Sequence, residues 1–186
     1  NIDLNGTNYT SNNGSLTFNG AVDLAAGAVT TTVTSGGGVG DKITFTNAVD
    51  DASNDTTLHL VGGASGNVNM QGAVGGNNAV GAFTVTSSPQ VDLENVTAEG
   101  DINITGTNID LNNTTYTSNT GSLTFNGPVD LDGSGTTTVT ASAVSGTGNI
   151  TFNDVVEDTG SNSSLTLNAP GTTTFSGTVG ATNALA

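Results

Sequence analysis

Carboxylates at recurring positions are the residues of this chain best suited to chemistry. Asp3, Asp23, Asp50, Asp92, Asp110, Asp130 and Glu157 each follow directly on an Ile or Val, and the same place after Val74 and Val179 holds Gly75 and Gly180. Two carboxylates facing each other across a cleft can hydrolyse a glycosidic bond. A row of them can hold a hard cation such as Ca²⁺. The hydrolase needs one place where the pattern breaks, whereas here the acidic position recurs from unit to unit. The other candidates are few. His59 stands alone between Leu58 and Leu60, and Lys42 is the only Lys or Arg. With no Cys and no second His, neither a zinc site nor a nucleophile–base–acid triad can be assembled. No catalytic, cofactor-binding or metal residue is assigned, and the chain is not expected to be an enzyme.

The elements that position these residues follow from the apolar pattern. Leu16-Thr-Phe18, Ile43-Thr-Phe45, Val68-Asn-Met70, Leu123-Thr-Phe125 and Ile150-Thr-Phe152 alternate with period two, and a Val follows four residues after the second apolar side chain in each. Phe175 is followed by Val179 at the same distance. Period two is the signature of a strand with one buried face. Between the two parts lie Asn19-Gly20, Gln71-Gly72, Asn126-Gly127 and Ser176-Gly177, which suit corners because Gly and Asn tolerate left-handed backbone. A second set of strands falls between these: Thr32–Thr34, Leu58–Leu60, Phe83–Val85, Thr138–Thr140 and Leu165–Leu167. The markers Ile2, Val22, Val49, Val74, Val91, Ile109, Val129, Val156 and Val179 are spaced by 17 to 27 residues.

Same-order recurrence lets equivalent residues stack on themselves. Length changes confined to 35–41, 61–66 and 141–148 behave as loops of a solenoid. The expected fold is therefore an all-β parallel β-helix of about nine coils of roughly 22 residues, a rod about 40 Å long at ~4.8 Å per coil. An antiparallel sandwich would alternate too, but would not require this order. In the β-helix the acidic positions form one outward column. Neighbours ~5 Å apart repel by about 0.8 kcal/mol in water. Cations would relieve that repulsion; without them the column is a solvated stripe that keeps the rod soluble. A second outward column is mostly Thr: Thr17, Thr44, Asn69, Thr124, Thr151 and Thr174.

A longer repeat overlies the coils. Asn1–Leu24 and Asn108–Leu131 agree at 20 of 24 positions at an offset of 107 residues. One continuous solenoid segment over 1–186 is expected, with a long repeat at 1–107 and a partial second copy at 108–186. The first residue is not Met, and the last residues fall part-way through a unit, so a segment of a longer protein is expected. Thr (34), Gly (27) and Asn (24) dominate the composition, and the formal net charge is −15. One cation cannot support counterion-release binding to nucleic acid or attraction to anionic lipid. No apolar run approaches the length of a membrane-spanning helix.

GSLTFNGAVDL, ITFTNAVDD and GNITFNDVVED resemble the long central arrays of filamentous-haemagglutinin-like secreted adhesins and related giant bacterial β-strand-repeat surface proteins. That resemblance covers essentially the whole chain. It implies a right-handed parallel β-helix, an extracellular or cell-surface location, and a structural or adhesive role as stalk or fibre. The expected partners are neighbouring repeats of the same chain, other copies of it in a filament, and surface glycans. The competing expectation is a cation- or glycan-binding module that uses the outward Asp and Thr columns. The resemblance carries no catalytic residue with it.

Overall fold

Short in–out–in strands joined by Gly, Asn and Ser bends leave the chain one economical way to pair its backbone groups, which is to wind and stack on itself. The computed structural model describes residues 1–24, 27, 29–143, 146–160 and 162–186, so residues 144 and 145 of the insertion at 141–148 lie outside the described residues. The first turn contains β1 (Ile2–Leu4), β2 (Asn8–Thr10) and β3 (Leu16–Phe18), and the second β4 (Val22–Leu24), β5 (Thr30–Thr34) and β6 (Lys42–Phe45). Next come β7 (Val49–Asp51), β8 (Thr57–Val61) and β9 (Asn67–Met70), then β10 (Ala82–Ser88) and β11 (Val91–Leu93), with Val74 and Val80 as isolated bridging residues before β10. They are followed by β12 (Val96–Ala98), β13 (Ile102–Gly106), β14 (Ile109–Leu111), β15 (Thr115–Ser118), β16 (Leu123–Asn126) and β17 (Val129–Leu131). The last are β18 (Thr136–Ala141), β19 (Ile150–Phe152), β20 (Val156–Glu157), β21 (Ser164–Asn168) and β22 (Thr173–Phe175).

Every pairing between these strands is parallel, and they sort into three faces of a prism. Face one stacks β1-β4-β7, passes through Val74, and continues as β12-β15-β18-β21. Face two is β2-β5-β8-β10-β13-β16-β19-β22. Face three runs from β3 through β6, β9, β11, β14 and β17 to β20. The protein is an all-β parallel solenoid of about seven turns of ~24 residues. The marker spacing suggested nine shorter coils because the markers change face. Ile2, Val22, Val49 and Val74 stack on face one, whereas Val91, Ile109, Val129 and Val156 stack on face three. The 17-residue gap from Val74 to Val91 is therefore part of one turn.

Inward side chains form one continuous apolar core from Leu4 to Val156, nearly all of it inaccessible to water. Like stacks on like. Phe18 lies on Phe45 with ring centroids 4.5 Å apart and planes within 9°, and Phe125, Phe152 and Phe175 form a second ladder at 4.9 and 5.1 Å. The first ladder is on face three and the second on face two.

Candidate functional site

Register decides what the outward positions make together. On face one Asp3 pairs with Asp23 and Asp23 with Asp50. On face three Asp92 pairs with Asp110, Asp110 with Asp130, and Asp130 with Glu157. The single acidic column expected from the sequence is thus two columns on different faces. The Thr column divides as well: Thr17, Thr44 and Asn69 lie on face three, leading into Asp92, while Thr124, Thr151 and Thr174 lie on face two. Face three consequently begins neutral and becomes acidic. Face one does the reverse, its upper part carrying Thr97, Thr117 and Thr140 in register.

Much of the acidic surface is engaged with backbone. Asp50 Oδ1 accepts from the amides of Asn77 (2.9 Å) and Asn78 (3.3 Å) on the next turn. Asp130 accepts from the Thr159 amide at 2.9 Å, and Glu157 from the Asn183 amide at 2.6 Å. A carboxylate here fastens the following bend to its own turn, a charge-assisted bond stronger than a neutral one. Two further acids do this from inside. Asp51 is fully buried and accepts from the Thr56 amide (2.6 Å) and from Ser53. Its counterpart Asp158 accepts from the amides of Gly160 and Ser163. Neither residue belongs to the acidic column expected from the sequence. Their signal was an acidic residue at an inward position of the alternation, followed by Ser, Asn and Thr.

The densest charge is on face three. Asp110, Asp130 and Asp132 each place a carboxylate oxygen within 4.8 Å of the others. β14 and β17 put the first two one rung apart, and Asp132 is at the bend beyond β17. Gln90 Nε2 donates to Asp92 (2.8 Å) and to Asp110, and Asn108 Nδ2 donates to Asp110 (2.7 Å) and to Gln90 Oε1 (3.1 Å). Amide donors thus sit where like charges would otherwise meet unscreened. Burial, followed by the charges of Asp132 and Asp92, pushes the Asp110 carboxyl up to about 6. Burial, then Asp130 and Asp158, pushes that of Asp132 upward too. Such a group can answer the local charge in two ways. It can hold a proton, or it can offer oxygens to a hard cation.

His59 points outward from face two, with Nε2 3.0 Å from Thr86 Oγ1. It lies in a column with Thr32 and Thr84, away from the acidic cluster. Lys42 is on face three, three turns before Asp110. Neither residue is brought beside the Asp110 cluster.

No family model matches the chain, and neither the curated proteins nor the solved structures contain a match to it.

Proposed function

We propose that this chain is a structural or adhesive segment of a secreted bacterial surface or fibre-forming protein of the filamentous-haemagglutinin-like kind. The observation that supports this most is the continuity of three in-register parallel faces. A rod of this kind lengthens by about 4.8 Å for each added turn without redesign. Its outward residues are short, polar and repeated, which suits projection or broad contact.

Immunogold labelling of source cells with antibodies to the purified chain tests the proposal. Label on extracellular fibres or the outer surface is the expected result; label confined to the cytoplasm overturns it.

Cation binding is the second reading, favoured by the approach of Asp110, Asp130 and Asp132. Titration with Ca²⁺ should raise the melting temperature, and Asp130→Asn should remove the effect. An unchanged melting temperature eliminates this reading.

A further inference from the structure

We propose that the groove at the corner between faces two and three, beside Ser87, is a binding niche for a neutral saccharide unit. This rests on the adhesive part of the function proposed above and gives it a site. A discrete binding site is expected where the repeated pattern departs from itself, and among the described strand ladders one shifts its register. The β10–β13 ladder pairs Phe83 with Ile102, Thr84 with Asn103 and Val85 with Ile104, then slips so that Ser88 meets Gly106. Thr86 and Ser87 together oppose Thr105, which is a β-bulge. Bulges re-aim side chains and are enriched beside binding sites.

The bulge carries backbone strain. Ser87 has φ +55°, and the other non-glycine residues at positive φ, among those described, are Asn54 and Asn162. Asn tolerates this conformation; Ser does so less readily. The chain has 27 glycines and places eleven of them at positive φ among the described residues. A serine at Ser87 therefore keeps a hydroxyl at a position that glycine would fill with less strain.

The groove over this bulge has a volume of about 400 Å³, within the ~300–1,000 Å³ range of small-molecule sites. Its lining includes Gly63, Ser87, Pro89, Thr105, Thr107 and Asn126. None of the lining residues is charged, so a bound anion or cation would lose its hydration without a counter-charge. The Pro89 ring and the Ala64 methyl are apolar, whereas Ser87, Thr105 and Asn126 bring hydroxyl and amide groups. A purely apolar ligand would leave the Ser87 hydroxyl unpaired. A sugar ring has one C–H face and an edge of hydroxyls, and satisfies both.

The polar groups are also held in place. Thr107 Oγ1 donates to the Pro89 carbonyl at 2.7 Å. Asn126 Oδ1 accepts from Asn153 Nδ2 at 2.7 Å, and Asn126 Nδ2 lies 3.4 Å from Thr105 Oγ1. Ser87 Oγ makes no hydrogen bond to another described residue, so its hydroxyl is available to a ligand. The −15 charge of the chain repels acidic sugars and favours neutral ones.

Amide chemical-shift mapping on the whole chain provides the test. The probes are methyl β-galactoside, methyl α-mannoside and N-acetylglucosamine, with N-acetylneuraminic acid as the charged comparison. At least one neutral probe should shift the amides of Gly63, Ser87 and Thr105–Thr107, and the charged sugar should not. Ser87→Gly should melt at the same or a higher temperature, which shows that it folds, yet bind that probe about tenfold more weakly. The proposal is overturned if no neutral probe shifts these amides, or if Ser87→Gly binds as the parent does. Immunogold label on fibres together with no saccharide response would remove the niche and keep the rod; cytoplasmic label would remove the adhesive reading itself.

Discussion

Asn1–Leu24 and Asn108–Leu131 are nearly the same sequence, yet they occupy different faces of the prism. In the first copy Ile2–Leu4, Asn8–Thr10 and Leu16–Phe18 lie on faces one, two and three. In the second, Ile109–Leu111, Thr115–Ser118 and Leu123–Asn126 lie on faces three, one and two. Fourteen face-to-face steps separate β1 from β14, with Val74 counted as one, and this is one short of five full turns. The long repeat is therefore out of phase with the solenoid by one face. The acidic stripe, the Thr stripe and the Phe ladder all move together by that amount. A local sequence in this chain specifies which side chains point in and where the corner comes, but not which way round the rod they look.

The two copies also differ in what surrounds identical residues, and this can be broken experimentally. Phe125 is fully buried, with Phe152 stacked on one side and Ile104 in register on the other. Phe18 is 9% exposed and stacks on Phe45. Phe125→Ala should cost about 4 kcal/mol in urea unfolding, and Phe18→Ala roughly half that, because its cavity opens toward water. Equal losses would mean that the two environments are alike.

The corner glycines give the next largest contrast. Gly127 has φ +146°, and a Cβ there would sit 1.9 Å from the Gly106 carbonyl oxygen. Gly20, its counterpart, has no positive φ, and a Cβ would meet the Ile2 side chain at an ordinary 3.5 Å. Gly127→Ala should destabilise by about 3 kcal/mol. Gly20→Ala should change stability by less than about 1 kcal/mol in either direction. Thermal melts of the two variants side by side decide it.

The smallest expected effect concerns pH. The Asp110 carboxyl is raised from 3.8 to about 6 in the folded chain. Between those values the folded state holds a proton that the unfolded state has released. The stability contributed by this group is thus full below about 4 and is lost as pH rises toward 6. Melting temperature should fall over that interval, and Asp110→Asn should flatten the fall. A parent chain whose melting temperature rises steadily from pH 4 to 6 would show that face-three repulsion does not govern its pH response.

Part of this site was legible in the residues. Asp92, Asp110, Asp130 and Glu157 do stack in register, as the recurrence after each Val or Ile implied. Asp3, Asp23 and Asp50 stack as well, but one face away from that series. Sequence spacing alone hid this, because 17 residues from Val74 to Val91 resembles a short turn. The bond from Asp50 to Asn77 and the Gln90 bridge between Asp92 and Asp110 were invisible for a related reason. They join residues of neighbouring turns, and their partners depend on loop lengths that differ from turn to turn. Ser87 gave no signal in the sequence, since a bulge is defined only against the strand it pairs with.

Period-two alternation sets the inward residues, and Asn-Gly and related pairs set the corners. Recurrence in constant order dictates parallel stacking. Those are local properties, and the sequence by itself determined them. The face that each strand occupies was decided only by the tertiary structure. A three-residue in–out–in strand fits any of the three faces equally well, so nothing within it prefers one. Its place depends on how many corners the chain has already turned, and that total accumulates over the whole path from Asn1.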